Sequence, residues 1–174
     1  IVTWTNGTDA QIAAMLDAHY RDEINIYDYW KVGDERVVDF SEMETGGIVG
    51  ETYAAQKVKM VLINEGGKEL VNPINGHTEC AFIVGQKNIF KGSTTGYMNP
   101  EASNLGGWDK CARRIWCNDI YKNALPVQFA EIFKQHKNIT ADGDEKVISF
   151  DYFALNSEKE VHGTTTYSNE TVEG

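Results

Sequence analysis

Few side chains in this chain have the type and spacing to do chemistry: three cysteines, four histidines and an excess of carboxylates. His77-x-x-Cys80 and the pair Cys111 and Cys117 invite a metal reading. Structural zinc, however, draws its ligands from tight cysteine knuckles on turns. Cys80 heads an apolar run, while Cys111 and Cys117 fall on one helical stretch, six residues apart and pointing in different directions. Buried, reduced thiols are expected, and no metal or cofactor. Three cysteines cannot all pair, and a helix between Cys111 and Cys117 keeps those two from bridging. Nucleophilic catalysis needs a Ser or Cys beside an oriented base. No G-x-S-x-G elbow is present, and Cys117 with His136 has no supporting pattern. Asp142-Gly143-Asp144-Glu145 lacks the frame of a calcium loop, and no glycine-rich phosphate loop occurs. The expectation is a protein that binds rather than catalyses, with no catalytic residue assigned.

Aromatic side chains are the remaining lead. Tyr27, Tyr29, Trp30, Tyr97, Trp108, Trp116 and Tyr121 carry flat faces suited to sugars or peptides, although most read more simply as core. Residues 91–107 form a long polar stretch with Gly92, Gly96, Pro100, Gly106 and Gly107, the signature of a binding loop. Tyr97, Asn99 and Asn104 within it are the expected ligand contacts. Asn6, Asn138 and Asn169 each open an N-x-[ST] triplet, a glycan acceptor only in a eukaryotic secretory pathway. His19 reads as a satisfied surface or boundary histidine rather than a ligand.

The formal net charge of −10 argues against nucleic acid or an anionic membrane as partner. Lys110, Arg113 and Arg114 form the one basic cluster, expected to be solvated or ion-paired. No run of eighteen apolar residues suggests a bilayer span, and no signal peptide is visible. Residue 1 is Ile rather than Met, so a processed or partial product is expected.

The elements that must position these residues follow from periodicity. Trp108, Ala112 and Ile115 recur at helical spacing and predict a helix over 108–119. Pro126 opens a second helix over 126–137, with Phe129, Ile132, Phe133 and His136 on its inner face. Thr8-Asp9-Ala10-Gln11 is a capping box, followed by a helical face of Ile12, Met15, Leu16, His19 and Tyr20. The aromatic segment 25–30 packs that helix onto the body, and residues 31–34 turn. Residues 36–40 read as strand and 41–53 as loop. From Gln56 the pattern alternates, with Val58, Met60 and Leu62 inward; through Val61 and Ile63 it turns apolar, as in a strand covered on both faces. Gly66-Gly67 predicts a hairpin returning over 68–71, and Gly85 stops a buried strand at 80–84. Residues 147–150 and 152–155 read as strand, and Ser157-Glu158-Lys159-Glu160 caps a short helix closed by Gly163. The fold class is α+β: a mainly antiparallel sheet with the two central helices packed on it. Residues 1–30 form an N-terminal helix and aromatic segment, 31–163 the main domain, and 164–174 a polar tail or link.

These residues in order carry a resemblance. Val32-Gly33-Asp34-Glu35 and the strand over 57–66 precede Glu79-Cys80-Ala81-Phe82-Ile83-Val84-Gly85-Gln86-Lys87. Gly96-Tyr97-Met98-Asn99 and Gly107-Trp108-Asp109-x-Cys111-Ala112-Arg113-Arg114-x-Trp116-Cys117-Asn118 come next. Asp151-Tyr152-Phe153-Ala154-Leu155 and Glu160-Val161-His162-Gly163 close the set. Together they resemble an uncharacterised domain family of gut Gram-positive bacteria and their prophages. The resemblance implies a C-type-lectin-like fold, similar to formylglycine-generating enzymes, whose second half would follow Gly174. It implies a virion, tail or cell-surface location (otherwise the bacterial cytoplasm). The implied partners are a host-surface glycan or protein, or other virion proteins, with self-association into a homo-oligomer. A structural virion or tail-assembly subunit, or an enzyme of the formylglycine-generating kind, is the alternative.

Overall fold

A computed structural model of the chain describes residues 1–47, 49–92, 98–99, 106–142 and 144–155. The capping box forms. The Thr8 hydroxyl accepts from the Gln11 N–H at 3.2 Å, and the Gln11 side chain accepts from the Thr8 N–H at 2.9 Å. They open α1 (Asp9–Tyr20), whose Ile12 and Tyr20 are buried. A 3-10 turn at Ile26–Asp28 then delivers Trp30 to the core. Trp4, Trp30 and Phe129 pack ring against ring, with centroids 5.6 and 5.7 Å from Trp4. Buried Arg36 fastens this segment to the sheet: it donates to the Asp9 carboxylate at 2.5 Å and to the Trp4 carbonyl at 3.1 Å.

Strands β1 (Glu35–Phe40), β4 (Gln56–Glu65) and β7 (Phe82–Gln86) form an antiparallel sheet in the order β1-β4-β7. Between the first two, β2 (Met43–Glu44) and β3 (Thr52–Tyr53) make a small hairpin where only loop was expected. On β4, Val58, Met60 and Leu62 face the core while Lys57 and Lys59 face out. Coverage of both faces does not occur: Ile63 remains 41% exposed, because the core lies on one side of the sheet only.

The expected return of residues 68–71 onto β4 is not what forms. Gly66 and Gly67, with φ of 63° and 93°, lead the chain out of the first sheet. The next strand, β5 (Glu69–Ile74), pairs instead with β6 (His77–Glu79) and β8 (His136–Asp142). Its hairpin turn is Asn75-Gly76, with φ of 48° and 84°, the pair of left-handed conformations that suits strand twist. The Gly66 N–H donates to the Ala81 carbonyl at 2.9 Å and the Cys80 N–H to the Lys68 carbonyl at 3.0 Å. One two-stranded ribbon therefore passes from the first sheet into the second. Gly85 does not end its strand; it lies within β7 opposite Val61.

The central helices differ most from expectation. Residues 108–119 are broken at Cys111, whose φ of −77° and ψ of 152° are extended. The pieces are α2 (Gly107–Lys110) and α3 (Ala112–Trp116), the latter running on through a π-helical turn at Cys117–Tyr121 into α4 (Lys122–Ala124). The break resets the helical phase. Trp108 stays buried at 7% exposure, but Ile115 swings outward to 64%. Pro126 does precede a helix, but α5 (Val127–Ala130) is a single turn. Phe129 is buried in the core and Ile132 and Phe133 pack against it. His136 and Lys137 instead open β8, where His136 pairs with Asp151 on one side and Leu70 on the other. Sheet pairing by the β-branched Ile139 and Thr140 outweighs local helical periodicity here. The partner strand β9 (Glu145–Asp151) completes a four-stranded antiparallel sheet in the order β6-β5-β8-β9. Residues 152–155 are irregular rather than strand, and the helix expected at 157–163 lies outside the described residues. The class is α+β with mostly antiparallel sheets, and the first thirty residues share one core with the strands.

Candidate functional site

The densest polar constellation centres on Asp151, at the end of β9 and fully buried. One carboxylate oxygen accepts from the Trp108 indole at 2.9 Å, the Asn138 amide at 2.8 Å and the Ser149 hydroxyl at 2.7 Å. The other accepts from Arg114 Nε at 2.6 Å and the Asn118 amide at 3.3 Å. Burial pushes this carboxyl upward, but the bonds from Asn138, Trp108, Ser149 and Arg114 outweigh it and hold it below the ordinary carboxylate range. Asp151 is thus a saturated anion clamped between α2, α3 and the β8–β9 hairpin.

The motif around it is spent on similar fastenings. Arg113 donates to the Thr45 carbonyl at 3.1 Å and lies 5.0 Å over the Trp116 ring. The Trp116 indole donates to the Glu44 carbonyl at 2.8 Å, tying the β2–β3 hairpin to α3. Asn118 accepts from the Tyr152 and Phe153 N–H groups at 2.6 and 3.2 Å and donates to the Phe153 carbonyl at 2.9 Å. That amide satisfies a segment with no ladder of its own. The basic cluster is ion-paired through Arg114, as expected.

Cys111 and Cys117 do not point apart; the break at Cys111 brings both into one small buried cluster with Trp108. All three cysteines are free thiols. Burial pushes Cys117 up to about 12 and raises Cys80 as well, so neither is a ready nucleophile at neutral pH. No group of three or more His, Cys, Asp or Glu gathers as a metal site among the described residues. His19 is buried rather than at the boundary, and its Nδ1 has no hydrogen-bond partner among the described residues. Its ring lies 5.2 Å from His77, whose Nε2 is 2.9 Å from Asp22.

Of the expected ligand contacts, Tyr97 and Asn104 lie outside the described residues. Asn99 is half-buried, and its side-chain oxygen accepts from the Ala112 N–H at 3.3 Å, capping the start of α3. Beside it the Met98 carbonyl accepts from the Arg113 N–H at 2.9 Å. Of the aromatic candidates, Trp30, Trp108 and Tyr121 are core, and Tyr29 is exposed at 46%. Asn138 is buried at 6% exposure, so its N-x-[ST] triplet presents no acceptor surface.

Sequence reasoning missed a cleft of about 120 Å³ between α1, β7, β8 and the segment after β9. Trp4, Trp30, Phe82, Val84, Phe133 and Phe153 are among its walls, and Lys68, Lys134, His136 and Asn138 supply its polar groups. Lys68 Nζ donates to the Asn138 side-chain oxygen at 3.1 Å, which links the cleft to Asp151. No local sequence signal marks it, because its walls come from segments more than a hundred residues apart.

No protein-family model, curated protein or solved structure matches the chain. No helix among the described residues is long and apolar enough to cross a membrane.

Proposed function

We propose that this chain is a non-enzymatic recognition domain of C-type-lectin-like kind, borne on a virion, phage tail or bacterial cell surface. Its partner is a host-surface glycan or protein, or another virion protein. One observation carries the reading: the residues that make the sequence recognisable are occupied in holding the scaffold together. Trp108, Arg114 and Asn118 all end on Asp151, whose two oxygens are saturated by internal donors. A catalytic carboxylate keeps a face for substrate and a pKa matched to its task. This one has neither. A rigid scaffold that leaves its connecting segments to meet other molecules is the usual layout of a binding domain. Binding of the labelled, folded chain to Gram-positive cell envelopes and to a glycan array tests the proposal. Saturable binding to an envelope component is expected, and none at micromolar concentration would overturn it.

A structural virion or tail-assembly subunit is the second reading. It rests on Ile148 and Phe150, which β9 turns outward at 52% and 48% exposure on the edge of its sheet. Sedimentation of the chain separates the two: a stable oligomer favours the subunit and a monomer the binder.

A further inference from the structure

We propose that the contact between the end of α1 and the tip of the β5–β6 hairpin is a pH-operated latch, closed while His19 is neutral and opened by a proton on its ring. This goes beyond the recognition reading and stands without it. After α1 the chain turns at Asp22, whose φ of 59° is left-handed, and the Glu23 N–H donates back to the Ala18 carbonyl at 2.9 Å. That turn brings the Asp22 carboxylate to the hairpin. Asn75 Nδ2 donates to one of its oxygens at 3.2 Å, and His77 Nε2 lies 2.9 Å from the other. The His77 ring packs on His19 and Tyr20, with centroids 5.2 and 5.5 Å apart. Ile74 anchors the base of the tip to the core. Among the described residues the remaining support is a weak ladder, since β6 is an outer strand of three residues whose pairing with β5 shifts register between Glu69 and Ile74.

The charge balance makes this contact sensitive to a proton. His19 is 8% exposed, and its Nδ1 has no hydrogen-bond partner among the described residues. Protonation turns that nitrogen into a charged donor with nothing to receive it, where an unpaired charge is costly. The groups facing the ring are Tyr20 and Asp22 from the end of α1, Tyr27 from the 3-10 turn and His77 from β6. Burial raises both tyrosines, Tyr20 to about 12, so they stay neutral. Arg21 and Glu23 pair with each other in solvent at 2.8 Å. Glu65, Glu79 and Cys80 bear on Tyr27 rather than on His19. Asp22 is therefore the carboxylate that serves two imidazoles, and at 68% exposure its pull is screened by water. With both rings charged, Asp22 stays on His77, and His19 carries a buried charge beside a second one. Moving the tip away hydrates both. Burial, with His77, holds His19 below 6.5 in the closed form against the opposing pull of the Ile24 backbone and Asp22. Exposure on opening returns it toward 6.5, so the open form binds the proton more tightly. The latch is closed above 6.5 and loosens as pH falls through the lower, closed-form value. Ala81 sets the far limit of the opening. Its N–H donates to the Tyr20 hydroxyl at 2.9 Å, and its carbonyl accepts from the Tyr27 hydroxyl at 3.1 Å and the Gly66 N–H at 2.9 Å. The movement is thereby confined to residues 74–79.

Amide hydrogen exchange of the nitrogen-15-labelled chain, read as protection factors at pH 7.5 and pH 5.0, tests this directly. Protection of the hydrogen-bonded amides within residues 74–79 should fall about threefold or more beyond any fall at Ala81 or in the β8–β9 ladder. His19→Phe keeps an aromatic ring against Tyr20 and Tyr27 without a titrating nitrogen, and should remove that difference. His77→Gln, at a part-exposed position, takes away the second charge and should shrink it while leaving the core untouched. Asp22→Asn suits the same left-handed turn but removes the compensating carboxylate, so the difference should grow. A fall spread uniformly over the chain would overturn the proposal, because the proton would then act on global unfolding. So would equal protection at the two pH values, or a difference at residues 74–79 that survives both His19→Phe and His77→Gln.

Discussion

The Trp108 indole donates a 2.9 Å hydrogen bond to Asp151, joining the first turn after the long polar stretch to the last residue of the last described strand. Both residues are buried. The bond explains why a tryptophan and an aspartate so far apart belong to one motif: the carboxylate satisfies the one polar group that the buried indole carries. Indole supplies apolar area and a single donor, and the carboxylate supplies the acceptor that this donor needs.

Removing the charge at that junction should be costly. Asp151→Asn leaves Arg114 without its anion and places an amide N–H₂ against the donors of Trp108, Asn138 and Ser149. Breaking one side of a buried ion pair typically costs ~3 kcal/mol or more. Urea unfolding should show a midpoint lowered accordingly, with Ser149→Ala, which removes one neutral donor, costing only about 1 kcal/mol.

Two glycines should respond differently to alanine. At Gly46, φ is +71° and an added Cβ would lie 2.5 Å from the Trp116 ring, which is itself pinned to Glu44. Strain and clash together should cost ~2 kcal/mol. At Gly85 the clash, at 2.3 Å, is with Cδ1 of Ile63, the flexible end of a part-exposed side chain. That group can rotate away, so Gly85→Ala should cost well under half as much. Equal losses in thermal unfolding would contradict the packing described.

The thiols should be slow to react. Cys111 and Cys117 are buried, Cys80 is only partly accessible, and burial raises Cys80 and Cys117. With a chromogenic disulfide at pH 7.5, at most one thiol should react quickly in the native protein. All three should react in guanidinium. Rapid labelling of two or more native thiols would contradict the buried cluster.

His19 makes stability depend on pH near neutrality. Burial lowers its pKa below the ordinary 6.5, and His77 pushes the same way, while the Ile24 backbone and Asp22 pull upward. Tyr20 and Tyr27 also pack on its ring. A lowered histidine pKa means that the unfolded chain binds the proton more tightly. The contribution is therefore present above 6.5 and lost as pH falls through the folded value. Urea midpoints should fall between pH 7.5 and 5.5, and His19→Gln should reduce that fall.

Local signals were legible where one short segment decides the outcome. Thr8 and Gln11 cap α1 because their reach is three residues, and Val58, Met60 and Leu62 alternate because one core face selects them. The errors fall where distant partners decide. His136 lies on a helical stripe by spacing, but pairing with Leu70 and Asp151 makes it strand. Cys111 interrupts a helix that periodicity continues, since Asn99 caps a fresh start at Ala112. The Asn75-Gly76 turn was readable from its residue types, yet Gly66-Gly67, with two glycines to its one, drew the hairpin to the wrong place. Asp151 entered the resemblance, but no local pattern marked it as a hub, because four of its five donors come from segments that only the folded chain brings beside it.

The central claim, that this carboxylate is scaffold and not a reactive acid, is tested most directly by titrating Asp151 by carbon-13 NMR of its carboxyl. The structure predicts an ionised group that titrates below the ordinary 3.8, with stability lost as pH falls through that lower value. A value raised toward neutrality, as in a carboxyl poised to give or take a proton, would contradict it.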